Sequence, residues 1–161
     1  MDKKIILNTK IIKKKKETNY GKILEINKQR NLIKDIYMNC DINDEINKTI
    51  LNKELKKKIA GYKGQDNKKH IYDDDNFITL ERVYEKLIES KHKCYYCKCD
   101  VKIIYNNNRE PLQWTLDRID NNLGHNYDNC VICCLKCNLD RRVLNSDKFK
   151  FTKQMNIKKL S

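Results

Sequence analysis

The chain has 161 residues and a formal net charge of +13; hydrophobic residues make up 39% of it and charged residues 35%. This length suits one domain, or one small domain with an extension, and the low hydrophobic content argues against a large core shared by the whole chain. No run approaches the roughly 18 apolar residues that cross a bilayer, and the N-terminus carries charges where a signal peptide is apolar. We therefore expect a soluble, intracellular protein without a membrane partner.

Runs of lysine at positions 13–16 and 56–58 carry part of the positive charge. A basic chain favours a polyanionic partner, because each neutralised phosphate releases condensed counterions. A genome rich in A and T would also enrich lysine and asparagine without any such partner. The charge therefore ranks nucleic acid first among partners, and the compositional explanation stays open.

The N-terminal half is predicted to be helical and rich in lysine. Residues 1–18 are typical of a flexible basic arm, which either contacts phosphates or is a solvated tail. Residues 19–75 are interpreted as a helical extension, because apolar residues recur at helical intervals from Ile23 to Ile59 and predict two or three amphipathic helices. The glycines and turn formers at 61–67 are expected to end the last of these helices. This extension would supply substrate choice or dimerisation.

Residues 76–148 are predicted to form a small α+β module that contains the chemistry, followed by a C-terminal tail at 149–161. Thr79 is a plausible N-cap for a helix that runs to about Ser90. A hairpin and a helix are expected after it. The predicted elements are a strand at 113–119, a turn at 121–128, a returning strand at 129–133 and a helix that begins near Cys134.

Two CxxC pairs, Cys94 with Cys97 and Cys134 with Cys137, predict a metal site. Cysteines in a reducing compartment are poor candidates for disulfides. A two-residue gap lets one turn present both thiolates to a tetrahedral Zn²⁺, and two such turns complete a closed structural site.

The second pair has an alternative frame, because Cys130 and Cys133 have the same spacing. Cys134 and Cys137 are preferred, since Cys133 ends an apolar stretch typical of a strand. Cys99, Cys130 and Cys133 then become core thiols or alternative ligands.

A second, catalytic metal is predicted beside the zinc. On the expected helix Cys134, Cys137 and Asn138 share one face, so two of them bind zinc while Asn138 points toward Asp117 on the first strand. A carboxylate and an amide oxygen are hard ligands suited to Mg²⁺, which keeps several waters.

The segments CYYC, LDRID, GH, DNC and CLKCN together resemble the HNH (ββα-metal) endonucleases, most closely the phage recombination endonuclease VII type and the HNH proteins of large DNA viruses. The resemblance covers about residues 94–142. It implies a zinc-stapled ββα-metal module that hydrolyses DNA phosphodiester bonds with Mg²⁺ or Mn²⁺ held by Asp117 and Asn138. Asn129 would begin the second strand and steady the loop. A viral origin would place the protein in the cytoplasm or nucleus of a host.

The sequence departs from the family at the general base, because Arg118 stands where the family has histidine after the metal aspartate. An arginine binds phosphate bidentately but is a poor base. His125 is the preferred base and Asp120 the second choice, although both also suit plain turn residues. Arg141 and Arg142 are expected to contact the DNA backbone, as either a binding feature or a charged helix end.

Two further functions stay open at this point. A non-catalytic zinc module derived from the HNH fold would bind nucleic acid without cutting it. A protein-interaction zinc module would make the basic charge incidental. Resolution of branched DNA needs two active sites, so that activity would require a homodimer.

Overall fold

The structure, a computed structural model, describes residues 20–155 apart from the side chain of Lys22. The predicted basic arm at 1–18 and the last six residues lie outside this range. The described chain is a mixed α+β fold with five α-helices and one two-stranded sheet. Its elements are α1 (Ile26–Tyr37), α2 (Glu45–Lys68), α3 (Leu80–Glu89), β1 (Trp114–Arg118), β2 (Cys130–Cys134), α4 (Leu135–Arg141) and α5 (Ser146–Gln154), with short 3-10 turns at Gly21–Leu24 and Tyr127–Asn129.

The predicted hairpin and following helix are confirmed. β1 and β2 pair antiparallel in a register that places Trp114 opposite Cys134 and Arg118 opposite Cys130. Helix α4 starts directly after β2, and the Cys134 sulfur caps it by accepting the Cys137 backbone N–H at 3.5 Å. Strand β1 is buried along its whole length, so packing restricts the movement of its side chains.

Helix α3 is also confirmed with its predicted cap. The Thr79 hydroxyl accepts the Arg82 backbone N–H at 3.3 Å, which satisfies one of the free donors at the helix start. Val83 and Leu87 on its apolar stripe are fully buried. The helix therefore packs on the module through the face that its sequence predicted.

The expected end of the second long helix near residue 61 is wrong. Helix α2 continues through Gly61 and Gly64 to Lys68. Each interior glycine costs about 1 kcal/mol relative to alanine, but residues on both sides of them are anchored by burial. Leu55, Tyr62 and Asp66 are all buried, and this tertiary contact outweighs the weak local propensity.

The described chain forms one connected core, contrary to the expectation from its composition. The core runs from Tyr20 to Phe149 and crosses the predicted boundary at residue 75. The buried amide of Gln29 in α1 joins the two parts, since its oxygen accepts the Ile103 N–H at 2.8 Å and its nitrogen donates to the Ile104 carbonyl at 3.0 Å. The helical region is therefore packed into the same unit as the hairpin.

The boundary predicted between residues 148 and 149 falls inside a helix. Helix α5 begins after Asn145, whose side chain accepts the backbone N–H groups of Asp147 and Lys148 at 3.1 Å. Phe149 packs edge-on against Tyr96, with 5.0 Å between ring centroids. Residues 149–154 are thus part of the fold and not a tail.

Within residues 20–155, no helix combines the length and the apolar character needed to span a membrane.

Candidate metal centre and catalytic cavity

The structure brings the four preferred cysteines into one cluster. The sulfur atoms of Cys94, Cys97, Cys134 and Cys137 all lie within 4.8 Å of one another. A tetrahedral zinc site with Zn–S bonds of about 2.3 Å needs sulfurs roughly 3.8 Å apart, and Cys97 and Cys134 are separated by 3.8 Å. The donor set therefore fits one metal ion such as Zn²⁺.

Local backbone contacts present these sulfurs. Cys94 donates its N–H to the Cys99 carbonyl at 2.8 Å, which closes the first turn, and Tyr95 donates to the Ile132 carbonyl at 2.8 Å, which fastens that turn to β2. The second pair sits at the junction of β2 and α4. Each pair thus needs only a short stretch of chain to set its geometry.

The alternative frame stays outside the cluster. Cys130 and Cys133 are buried on the hairpin, and the Cys133 sulfur lies 3.1 Å from the Thr115 hydroxyl. Cys99 is the neighbour of the cluster, because its sulfur is 3.1 Å from that of Cys97. The choice of Cys134 and Cys137 thus agrees with the arrangement of the sulfur atoms.

Two thiols of the cluster, those of Cys94 and Cys137, are shifted toward the protonated form. A hydrogen bond with Cys134, together with burial, raises the pKa of Cys94 to about 12, and burial raises the pKa of Cys137 to about 12. A metal must displace these protons to bind thiolates. Metal binding to the cluster is therefore expected to weaken as the pH falls.

Beside the cluster, a cavity of about 620 Å³ separates the hairpin and α4 from helix α2. The α2 residues that line it recur every three or four positions, so one face of that helix forms a wall. The lining carries five basic and two acidic side chains, so its charge favours an anionic ligand. The charged residues are Lys57, Lys58, Lys69, Arg118 and Arg142 against Glu54 and Asp117.

Asp117 lines this cavity, but its carboxylate is shared with a buried arginine. Its Oδ2 accepts the Tyr96 hydroxyl at 2.6 Å and the Arg141 Nε at 2.5 Å, while its Oδ1 accepts the Arg141 Nη2 at 2.9 Å. Burial, followed by donation to Asp117, raises the pKa of Tyr96, so the tyrosine is a neutral donor. Of these three hydrogen bonds Oδ1 accepts one, so it can accept another.

Asn138 presents its amide oxygen away from β1. Its Nδ2 donates to the Thr115 hydroxyl at 3.1 Å and to the Leu116 carbonyl at 3.3 Å. Because a carbonyl only accepts, the nitrogen must lie on that side of the amide. Asn138 also lines the cavity.

His125 lines the same cavity and is held by a carboxylate from α2. Its Nδ1 lies 2.7 Å from the Asp66 Oδ1, and its backbone N–H donates to Asp66 Oδ2 at 2.6 Å. The imidazole packs on the Tyr62 ring with 4.5 Å between centroids. Burial lowers the pKa of His125, against the opposing effect of Asp66. Burial therefore favours the neutral imidazole.

The loop between the strands is tied down by Asn129. Its side chain accepts the Asp120 N–H at 2.9 Å and donates to the carbonyls of Asp120 and Gly124 at 2.9 and 3.0 Å. These bonds give it a loop-steadying position. Asp120 is exposed and accepts the Asn122 N–H at 2.8 Å, so it shapes its own turn and is absent from the cavity lining. The structure therefore favours the turn role over the second-choice base for Asp120.

Arg118 and Arg142 reach the cavity, whereas Arg141 does not. Arg118 donates to the Leu123 carbonyl at 3.2 Å and lies 4.0 Å from Asp66. Arg141 is 1% exposed and donates to Asp117, to the Arg118 carbonyl at 2.6 Å and to the Leu144 carbonyl at 2.7 Å. Because Arg141 donates these hydrogen bonds inside the protein, it is not placed to contact DNA. This corrects the prediction that Arg141 contacts the DNA backbone. The adjacent Arg142 is exposed.

Sequence reasoning missed the contributions of α2 and the pairing of Arg141 with Asp117. Arg141 follows Cys137 by four residues and Asn138 by three, so helical spacing could have placed it on the face toward β1. Asp66 gave no local signal, since it lies 59 residues before His125.

Comparisons with known proteins do not assign a family. No family model matches the chain, and no solved structure matches it. A stretch of 73 residues, 45% of this chain, is 40% identical to an uncharacterized protein of Acanthamoeba polyphaga mimivirus. The chain spans only 12% of the length of that viral protein. The similarity connects the chain to a viral protein and attributes no activity to it.

Proposed function

We propose that this chain is a metal-dependent DNA endonuclease of the HNH type that hydrolyses phosphodiester bonds. The observation that carries the proposal is that Asp117, Asn138 and His125 line one basic cavity. The cysteine cluster is built on the same β2–α4 junction that carries Asn138. Hard oxygen ligands, a neutral imidazole and a zinc staple together are what the resemblance to the ββα-metal nucleases implies.

The residues present fit a hard divalent cation. Asn138 directs its amide oxygen away from its β1 partners, Asp117 Oδ1 keeps acceptor capacity, and both residues line the cavity. Mg²⁺ takes few protein ligands and retains several waters, so two oxygen ligands are sufficient. When bound, Mg²⁺ or Mn²⁺ would act as a Lewis acid that offsets the negative charge on the phosphate.

The protein residues would carry the proton transfer and bind the substrate. A neutral His125 with its Nδ1 on Asp66 leaves Nε2 as the acceptor for a water proton. The water oxygen then bonds to phosphorus, the bond from phosphorus to the 3′ oxygen breaks, and that oxygen leaves with a proton from solvent. Arg118 places a fixed positive charge at the cavity, where it stabilises the charge that develops on the phosphate.

The basic wall of α2 would bind the nucleic-acid backbone. Lys57 lines the cavity from α2, Lys69 lines it from the C-cap of that helix, and Arg142 lines it from the end of α4. Each phosphate contact that is lost should reduce the salt dependence of binding by about one unit of slope. Lys57→Ala, Lys69→Ala and Arg142→Ala should therefore weaken DNA binding at low salt and flatten its salt dependence, with Lys53→Ala, which does not line the cavity, as the control.

The test is cleavage of plasmid and four-way-junction DNA by zinc-loaded protein with Mg²⁺ or Mn²⁺. Asn138→Ala and His125→Gln should each lower the cleavage rate by about 10²-fold or more, with zinc content and DNA affinity retained. Arg142→Ala should instead weaken DNA affinity. Cleavage that both Asn138→Ala and His125→Gln retain would contradict this assignment of the site.

One observation favours a second function, a non-catalytic nucleic-acid-binding module. Arg141 pairs with both carboxylate oxygens of Asp117 and so neutralises charge that a cation would use. A wild type that binds DNA, holds zinc and cuts no substrate with either metal ion would select this function.

A further inference from the structure

The strongest unexplained feature next to the cavity is the buried carboxylate of Asp66, which contacts the cavity-lining His125. Asp66 lies on α2, within residues 19–75, which were predicted to form a helical extension. Its side chain is 0% exposed. A carboxylate without water needs compensating hydrogen bonds or charges. Each of its oxygens approaches His125, one the ring and the other the backbone N–H.

We propose that Asp66 is a positioning residue for His125, so that helix α2 completes the active site; this inference rests on the proposed nuclease function. The carboxylate accepts only, so the Asp66 contact holds the proton on Nδ1 of the neutral ring and leaves Nε2 as the proton acceptor. The second contact, to the backbone N–H, fixes the main chain at the same residue. Ring orientation and tautomer are thus set together by one side chain.

Two neighbours support this geometry. The Tyr62 ring, also on α2, packs on the imidazole and restricts its rotation. Gly124 allows the loop to approach α2, because a Cβ there would lie 2.5 Å from the Ile71 carbonyl oxygen and 3.0 Å from Asp66 Oδ2. The sequence Gly124-His125 therefore needs its glycine for close packing against the helix that holds the histidine.

The charges around His125 determine how it titrates. Asp66 favours the protonated ring, whereas burial, Arg118 on β1 and Lys69 at the C-cap of α2 favour the neutral ring. The Tyr62 hydroxyl accepts the Leu116 N–H at 3.0 Å, and burial raises the pKa of Tyr62, so it stays neutral. Removal of the Asp66 charge should therefore lower the pKa of His125 further.

The experiment uses ¹⁵N NMR of the zinc-loaded full chain, with the His125 signals assigned by comparison with His125→Gln. The wild type should show a neutral ring protonated at Nδ1. Asp66→Asn should lower the pKa of His125, and its amide nitrogen, facing the ring, should shift the proton toward Nε2. The matched control Asp128→Asn removes a charge from an exposed side chain three residues away and should change neither property.

Cleavage kinetics give the second readout. Asp66→Asn should reduce kcat by about 10²-fold to 10⁴-fold, the range for loss of general-base catalysis, with KM nearly unchanged because no substrate contact is removed. A ring protonated at Nε2 in the wild type would overturn the inference without any variant, even if Asp66→Asn failed to fold. Unchanged His125 titration and kcat in a folded Asp66→Asn would overturn it as well.

Failure of the proposed function gives a different result. A wild type that binds DNA without cutting it, yet shows the Nδ1 proton and its loss in Asp66→Asn, would keep the pairing and overturn its catalytic role.

Discussion

The cysteine cluster and the cavity beside it are assembled in opposite ways. The cluster draws its four sulfurs from two short turns, and each pair is separated by two residues. The cavity lies between α2 and the hairpin, and the contact from Asp66 to the cavity-lining His125 spans 59 residues of sequence. A site built from local spacing tolerates changes elsewhere in the chain, whereas a site built from packed elements depends on every close approach between them. Substitutions in the two regions should therefore have different effects.

The largest effect is expected from loss of the cluster. Cys137→Ser, or removal of metal by a chelator, should abolish stable zinc binding and unfold the hairpin–α4 region, because structural zinc sites contribute about 10 kcal/mol or more of apparent binding energy at neutral pH. Zinc content and thermal unfolding measure this result. Cys40→Ser, at an exposed position, is the control, and Cys133→Ser should retain one zinc. Loss of zinc in Cys133→Ser and its retention in Cys137→Ser would contradict the assignment of Cys134 and Cys137 as the second pair of ligands.

The next largest effect should come from the buried ion pair of Arg141 and Asp117. Arg141→Met leaves the buried Asp117 carboxylate without its partner, and loss of one member of a buried pair costs about 3–5 kcal/mol. Arg142→Met, at the adjacent exposed position, should change the free energy of unfolding by less than about 0.5 kcal/mol. Denaturant unfolding of both variants tests the contrast. Equal changes in the free energy of unfolding would mean that Arg141 and Arg142 do not differ in burial.

A smaller effect is expected at the approach of the loop to α2. Gly124→Ala should destabilise the protein by about 1–3 kcal/mol, typical of overpacking, because the new Cβ would meet the Ile71 carbonyl oxygen. Zinc content should be unchanged, since the cluster lies apart from this contact. Thermal unfolding and zinc analysis together check the expected separation. Zinc loss in this variant would contradict it.

The smallest effect, of opposite sign, is expected within α2. Gly64→Ala should stabilise the protein by up to about 1 kcal/mol, because alanine is the better helix former and nothing lies within 4 Å of the added Cβ. An increase in melting temperature would be the measurement. Destabilisation would mean that the helix does not continue through this glycine.

Cleavage should also depend on pH through the cavity. Burial lowers the pKa of His125, the proposed base, and so favours its deprotonated form. The rate should rise as the pH increases through a value below the ordinary 6.5 of histidine and be flat near pH 7. His125→Gln should lose this dependence. A rate that still rises steeply above pH 7 in the wild type would point to another base.

Local patterns predicted the parts of the protein that short stretches of chain determine. The Thr79 cap, the two strands, the helix after Cys134 and each CxxC pair follow from residues within a few positions of one another, since caps, strand alternation and CxxC spacing act over one turn or one strand. The same logic failed at Gly61, because propensity is weak and burial of Tyr62 and Asp66 outweighs it. The two cysteine pairs lie 37 residues apart, between Cys97 and Cys134, so packing of the first turn on β2 brings them together.

The tertiary structure alone decided which charges are buried and which face the cavity. Two adjacent arginines look equivalent in sequence, yet Arg141 pairs with Asp117 while Arg142 remains exposed. Asp66 contacts His125 only because α2 packs against the loop that carries this histidine. The spacing of residues along the chain determines which side chains one turn brings together. Burial and long-range charge pairing depend on how whole helices and strands pack.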